Sequence, residues 1–233
     1  WVVPHESAMC GPRKEAIMGR KLVLMLCVLM PVEAVPGSAG AADGEISVTV
    51  LYDNTAFAPG TEADWGFSCL VEGTEKTILF DTGTRPEVFF HNFAALGVDL
   101  ADIDLVVISH EHGDHTGALA RVLEQHHGLP VYHPVSFSDG FVSSVEKAGA
   151  TSVPVTEPVE IIDNVFLTGE MGGDIKEQSL ILRTGDGLVV ITGCSHPGIV
   201  EILEQTQQIL DEPIFMVFGG FHLLENSDDE TAA

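Results

Sequence analysis

Basic residues are scarce in this sequence. Its 233 residues include 10 Lys and Arg but 35 Asp and Glu, which gives a formal net charge of −25. A charge of this sign repels phosphate backbones and acidic lipid surfaces. It argues against a nucleic-acid partner and against binding to anionic membranes, and we expect a small-molecule partner instead.

Long apolar runs are also missing. Residues 22–30 are almost wholly apolar, but this run is too short to span a bilayer. Arg20 and Lys21 precede it and an Ala-Gly-Ala segment ends at Ala41, an arrangement typical of an export signal. We predict upstream residues and a signal, from Met18 to Ala41, within residues 1–41. A periplasmic or secreted domain at 42–233, without stable membrane insertion, would follow. A membrane-surface anchor, or a cytoplasmic protein with no signal, is the alternative.

Cysteine is the third scarce residue, with 4 in the chain, of which Cys10 and Cys27 fall in the predicted leader. Cys69 lies in a strand-like run and is expected to be a buried thiol. A disulfide between Cys69 and Cys194 after export stays open, because sequence spacing alone does not establish one. The chain length and a hydrophobic content of 45% predict one globular domain with a substantial core.

Histidine, in contrast, is concentrated at one point. His110, His112, Asp114 and His115 follow the apolar run 105–108, which predicts a buried strand, and precede a run that predicts a helix. We expect a tight loop that turns these side chains toward one point. Histidine and carboxylate at this density suit a borderline divalent metal, with zinc the first choice. Two adjacent metals are predicted, and a polar loop with solvated histidines is the alternative.

Other polar residues also follow predicted strands. Asp81 ends the second strand of a predicted hairpin, where a buried carboxylate is costly unless it is hydrogen-bonded. His196 follows a strand at 188–192, and His222 follows a strand at 214–218, which we expect to be buried. Strand-rich and helical segments alternate along the chain. This order predicts an α/β fold in which two sheets pack face to face with helices outside.

Four short motifs carry a resemblance to a known family. They are Phe-Asp-Thr-Gly at 80–83, the histidine run at 109–117, Thr-Gly-Cys-Ser-His-Pro-Gly at 192–198 and Gly-Gly-Phe-His-Leu at 219–223. From about residue 46 onward the sequence resembles the metallo-β-lactamase fold superfamily. Within it, the sequence is similar to the branch of 7,8-dihydropterin-6-methyl-4-(β-D-ribofuranosyl)aminobenzene-5′-phosphate synthase. The resemblance implies an αββα sandwich with a metal site along one edge.

The resemblance also implies metal-binding roles for individual residues. His110, His112 and His196 would form a first metal site, and Asp114 and His115 would contribute to a second. The cofactor would be one or two divalent ions, zinc first, with Mn²⁺ or Fe²⁺ as alternatives.

The remaining assignments concern residues around the metals. His222 would bind one metal or contact substrate. Asp81 would support the metal loop without binding metal, and Cys194, two positions before His196, would likewise lie near the metal without being one of its ligands. Arg85 is a candidate to hold a substrate anion, although a solvated surface charge is an equal alternative. The branch usually continues to a final His-Cys-Thr-Gly motif that completes the second site, so we expect the C-terminal part of the domain to be truncated.

Hydrolysis is the chemistry that this site would support. A divalent metal lowers the pKa of bound water to give hydroxide, and Asp114 would orient that nucleophile or take its proton. The substrate would be a small-molecule ester, lactone, thioester or phosphate ester. Alternatives are a transferase of the synthase type, an iron-containing redox protein and a catalytically impaired metal-binding protein.

Overall fold

The computed structural model describes residues 45–222. The predicted leader and the residues after 222 lie outside this range. The described strands, in chain order, are β1 (Ser47–Tyr52), β2 (Ser68–Glu72), β3 (Ile78–Phe80), β4 (Leu105–Val107), β5 (Pro130–Pro134), β6 (Thr151–Val155), β7 (Val159–Ile162), β8 (Val165–Leu167), β9 (Leu180–Thr184), β10 (Gly187–Thr192) and β11 (Ile214–Gly219). The helices are α1 (Pro86–Leu96), α2 (Gly113–Thr116), α3 (Leu119–Gln125), α4 (Asp139–Lys147) and α5 (Ile199–Ile209).

The strands form two sheets. One has six strands in the order β1-β2-β3-β4-β5-β6, and the other has five in the order β11-β10-β9-β8-β7. Strands β3 to β6 run parallel, and β10 and β11 also run parallel to each other. Because the carboxyl ends of parallel strands meet at one edge of a sheet, residues that follow these strands are brought together there.

Three apolar clusters show the layers. The first packs the six-stranded sheet against α1, α3 and α4, with Phe89 and Phe93 of α1 buried in it. The second lies between the sheets and joins residues such as Phe80 and Leu180. The third packs the outer face of the five-stranded sheet against the end of α5 at Leu210. The predicted αββα sandwich is therefore confirmed.

Most local elements agree with the sequence patterns. Helix α1 begins at Pro86 and ends before Gly97, whose φ of 70° is the left-handed conformation that glycine favours at a helix C-terminus. No helix within residues 45–222 is long and apolar enough to cross a membrane.

Two expectations were wrong. Residues 113–116 form the short helix α2 instead of part of the predicted tight loop, because the backbone N–H groups of His115 and Thr116 both donate to the carbonyl of His112. Strand β11 is not buried. It lies at the edge of its sheet, and its Phe215 and Met216 are 56% and 48% exposed.

Candidate metal centre

The histidine run enters the site from the end of β4. His110 is fully buried, whereas His112 is exposed, so the run leads from the sandwich interior to its surface. His110 Nε2 lies 3.1 Å from His112 Nδ1. Asp114 and His115 follow on α2, and His115 Nε2 lies 3.6 Å from Asp114 Oδ2. The two short segments therefore bring four potential ligand groups together.

The Asp81 carboxylate fixes the histidine run by hydrogen bonds. Asp81 is fully buried at the end of β3, with a φ of 54°, a left-handed conformation that Asp tolerates better than most residues. Its Oδ1 accepts from the Ser109 backbone N–H at 2.7 Å, and its Oδ2 accepts from Ser109 Oγ at 2.7 Å and from His115 Nδ1 at 2.6 Å. The carboxylate thus bonds both segments that carry the candidate ligands.

These hydrogen bonds also fix which ring nitrogens face the cluster. The Ser109 hydroxyl has one proton and donates it to Asp81, so its oxygen accepts from His110 Nδ1, 2.9 Å away. His110 Nε2 is left with its lone pair pointing toward His112. His115 likewise uses Nδ1 for Asp81 and turns Nε2 toward Cys194, whose Sγ is 3.1 Å away.

A second segment supplies His196 from the end of β10. It is organised by Glu177, a residue that the sequence analysis missed. Glu177 is fully buried, and its Oε1 accepts from the backbone N–H groups of Gly193, Cys194 and Ser195, each at 3.0 Å. Its Oε2 accepts from the His196 N–H at 2.9 Å. One carboxylate therefore fixes the path of the segment that carries Cys194 and His196.

Gln178, the residue after Glu177, holds the segment that leads into His110. The backbone N–H of Gln178 donates to the Ser109 carbonyl at 2.9 Å, and its side-chain amide donates to the Ile108 carbonyl at 3.0 Å. Gly193 allows the two segments to touch, since a Cβ there would meet Ser109 Oγ at 2.1 Å. Glu177 and Gln178, which precede β9, thus hydrogen-bond both the segment that leads into His110 and the segment that carries His196.

His222 reaches the cluster from the end of β11. Its ring centroid lies 4.8 Å from that of His196. The segment is held because the Gly220 N–H donates to the Gly193 carbonyl at 2.8 Å, and Ser195 Oγ donates to the Gly220 carbonyl at 2.7 Å. The structure therefore places His222 beside the site, at its exposed side.

The electrostatics of the cluster favour neutral imidazoles at two positions and a charged one at the third. Burial, with help from neighbouring histidines, lowers the pKa of His110 far below its ordinary value and that of His196 to about 4. Burial also acts to lower the pKa of His115, but the charge of Asp81 and its hydrogen bond outweigh it and raise the pKa to about 10. Without a metal, His115 holds a proton that a bound cation would replace.

The donor set fits a divalent metal. Within residues 45–222, His196 Nε2 is buried and has no hydrogen-bond partner. Buried polar atoms are normally bonded, so an imidazole nitrogen without a hydrogen-bond partner beside other imidazoles fits the role of a metal ligand. Among residues 45–222, the potential ligand atoms form three overlapping sets, each with all members within 4.8 Å of one another. These sets are His110-Cys194-His196, His110-His112-Asp114 and Asp114-His115-Cys194.

Several other polar side chains lie away from the cluster or are bonded elsewhere. Arg85 Nε pairs with Asp64 Oδ2 at 2.6 Å, so its role toward a substrate anion stays a prediction. His126 and His127 bond backbone carbonyls at the end of α3. Cys69 is buried and, like Cys194, is a free thiol, so the disulfide that was left open is not formed.

Removal of the Asp81 carboxylate is expected to weaken metal binding. In Asp81→Ala, Ser109 and His115 lose their shared acceptor, and we expect metal affinity to fall about 10- to 100-fold, as for other residues that orient metal ligands. Asp81→Asn should do nearly the same, because its amide N–H₂ donates where His115 Nδ1 must donate. Calorimetric titration with Zn²⁺ measures this, with Asp102→Asn, an exposed position before β4, as control. Unchanged Zn²⁺ affinity would show that Asp81 does not orient the metal ligands and serves only in the turn after β3.

Comparison with known proteins agrees with this geometry. The family model described as "Metallo-beta-lactamase superfamily" matches residues 66–198. A crystal structure described as Tm1679, a metal-dependent hydrolase of the β-lactamase superfamily, is 35% identical, with a TM-score of 0.66 and 81% of each chain covered. The 7,8-dihydropterin-6-methyl-4-(β-D-ribofuranosyl)-aminobenzene-5′-phosphate synthase of Methanocaldococcus jannaschii is 27% identical, over 82% of this chain and 81% of its own. The anaerobic nitric oxide reductase flavorubredoxin of Aliivibrio fischeri is 41% identical over 71 residues, which is 29% of this chain and 14% of that protein.

Proposed function

Because this chain belongs to the metallo-β-lactamase superfamily, we propose that it is a metal-dependent hydrolase that cleaves a small-molecule ester, lactone, thioester or phosphate ester. The observation that carries this proposal is the convergence of His110, His112, Asp114, His115 and His196 at one edge of the sandwich. A divalent ion held there would lower the pKa of water and polarise the substrate oxygen. Zinc suits this mixture of imidazole, carboxylate and thiol better than Mg²⁺ or Ca²⁺.

Asp114 and His115 have different roles in the proposed reaction. Asp114 Oδ2 accepts from Trp65 Nε1 at 3.0 Å and lies 3.6 Å from His115 Nε2, so one oxygen is oriented at the cluster. We assign to this carboxylate the role of orienting the attacking water and taking its proton. His115 is held by Asp81 and keeps its position while Asp114 acts.

A cavity beside the cluster supports a small-molecule substrate. It has a volume of about 320 Å³, and His196, Pro197, Ile199, Phe221 and His222 are among its lining residues. Ligand pockets for small molecules begin at about this size and combine apolar walls with a few polar groups. In this proposal, the two histidines face the bond that is cleaved, and the apolar side chains contact an apolar part of the substrate.

A synthase is the second candidate, and the Methanocaldococcus jannaschii relative is the observation that favours it. The same metal centre would then activate the substrates for condensation of a pterin with a ribofuranosyl aminobenzene phosphate. The export signal predicted from the sequence argues against this reaction, because pterin intermediates are cytosolic. The flavorubredoxin relative provides less support for redox chemistry, since the match spans 14% of that protein.

The two candidates are separated by one pair of assays on the zinc-loaded chain. Hydrolysis is tested on a panel of p-nitrophenyl esters, γ-lactones, thioesters and phosphate esters, with and without a chelator. Condensation is tested with the dihydropterin and the ribofuranosyl aminobenzene phosphate. Chelator-sensitive turnover in the panel supports the hydrolase, whereas condensation without panel turnover supports the synthase. A metal-loaded protein inactive in both assays would contradict both candidates.

Replacement of the proposed base should reduce turnover. Asp114→Asn keeps the side chain's size but cannot take a proton and is a weaker metal ligand, so in protein loaded to equal metal content we expect kcat to fall about 10²- to 10⁴-fold on any substrate that the panel identifies. Substrate KM should change much less, because the cavity walls are intact. Asp102→Asn, at the opposite end of β4, is the matched control. Full kcat in Asp114→Asn at equal metal content would exclude Asp114 as the base.

A further inference from the structure

Cys194 stands between two groups of candidate ligands. Its Sγ lies within 4.8 Å of the ligand atoms of His110 and His196, and also within 4.8 Å of those of Asp114 and His115. Among residues 45–222, the sets that contain three such groups include Cys194 twice and do not include His222. The position that joins the two halves of the cluster is therefore occupied by a sulfur atom.

The distances match those within a metal coordination shell. With metal–ligand bonds of about 2.0–2.3 Å, two atoms bound tetrahedrally to one ion lie roughly 3–4 Å apart. Cys194 Sγ lies 3.1 Å from His115 Nε2, and that nitrogen lies 3.6 Å from Asp114 Oδ2. Asp114, His115 and Cys194 are thus spaced as three ligands of one metal ion would be.

The direction of the thiol is fixed by the fold. Glu177 accepts the backbone N–H groups of Gly193, Cys194 and Ser195, which sets the chain path on both sides of the cysteine. Asp81 fixes the opposing ring, so that His115 presents Nε2 to the sulfur. Both partners of the contact are therefore held by buried carboxylates, and the thiol points into the cluster instead of the apolar core.

We propose that Cys194 is a metal ligand, which completes a second metal position with Asp114 and His115 and lies beside the first position at His110 and His196. On binding, the S–H bond breaks, a sulfur–metal bond forms and the proton passes to solvent. The inference rests on the proposed metal centre. Its consequence is selectivity, because a thiolate favours zinc, cobalt or iron over Mg²⁺, Ca²⁺ or Mn²⁺ at this position.

Electronic absorption of the cobalt-loaded protein tests the proposal directly. Tetrahedral Co²⁺ gives visible d–d bands with any ligands, whereas a near-ultraviolet charge-transfer band requires a thiolate. All proteins carry Cys10→Ser and Cys27→Ser, so that Cys69 and Cys194 are the remaining thiols. We expect the parent protein to show both kinds of band, Cys194→Ser to keep d–d bands and lose the charge-transfer band, and Cys69→Ala to keep both.

Affinity gives a second readout. We expect Cys194→Ser to weaken binding of the more weakly held Zn²⁺ by at least about 100-fold, the upper end of what loss of a merely orienting residue costs. Circular dichroism checks that each variant is folded, and the parent spectrum tests the proposal whether or not the variants fold. Visible bands without a charge-transfer band in the parent would overturn ligation by Cys194 and leave the histidine site standing. Absence of cobalt binding by the folded parent would overturn the metal centre itself.

Discussion

His110→Ala is expected to remove most of the metal that the protein binds. His110 is fully buried, and it belongs to two of the three candidate ligand sets found among residues 45–222. Its Nε2 is directed to the cluster because Ser109 accepts the proton of Nδ1. Since loss of a residue that only orients a ligand costs about 10- to 100-fold in affinity, loss of this ligand should cost more than about 100-fold.

The experiment compares metal content and Zn²⁺ affinity of His110→Ala with those of the parent chain. His127→Ala is the matched control, because His127 bonds the Ala148 carbonyl at the end of α3 and belongs to none of the candidate sets. The control should bind like the parent. Full stoichiometry and unchanged affinity in His110→Ala would show that the first metal position has been assigned to the wrong residue.

Glu177→Ala should lower both stability and metal affinity. The change leaves four backbone N–H groups, those of residues 193–196, without their shared acceptor. Each buried donor left unpaired costs about 1–3 kcal/mol, although relaxation of the segment recovers part of the sum, so we expect a loss of at least about 3 kcal/mol in the free energy of unfolding. Metal affinity should fall with it, because His196 and Cys194 lose their fixed positions.

Glu177→Gln distinguishes these effects. Glutamine keeps one oxygen for three of the N–H groups, but its amide group is itself a donor and faces the His196 N–H, so we expect an intermediate loss. Urea unfolding and Zn²⁺ titration of both variants provide the measurement, with Glu204→Ala on the exposed face of α5 as control. If Glu177→Ala unfolds like the parent and binds Zn²⁺ as tightly, the carboxylate does not organise the segment.

Much of the site was predictable because its signals are local. The density of histidine after an apolar run at 105–108, and the recurrence of His or Asp after other predicted strands, indicate a shared edge and its chemistry. The strand order indicates the layered fold, whereas the small-molecule partner inferred from the charge imbalance stays a prediction. Asp81 was identified because a carboxylate at the end of a buried strand needs hydrogen bonds.

Glu177 was missed although the same argument applies to it. It lies three positions before strand β9, where a buried carboxylate also needs donors, but those donors are backbone groups on a segment 16 to 19 positions later. Backbone N–H groups carry no sequence signature. The exposure of β11 was missed for a different reason, because an apolar run such as 214–218 does not reveal whether its strand lies at the centre or the edge of a sheet.

Metal stoichiometry tests the central claim most directly. The full chain is purified without added metal, confirmed as folded by circular dichroism, and analysed for Zn, Mn, Fe and Co by elemental analysis. We predict about two ions per chain, mainly zinc. One would be held by His110, His112 and His196, and the other by Asp114, His115 and Cys194. A folded protein that contains no metal, and that takes up none when Zn²⁺ is supplied, would contradict the account.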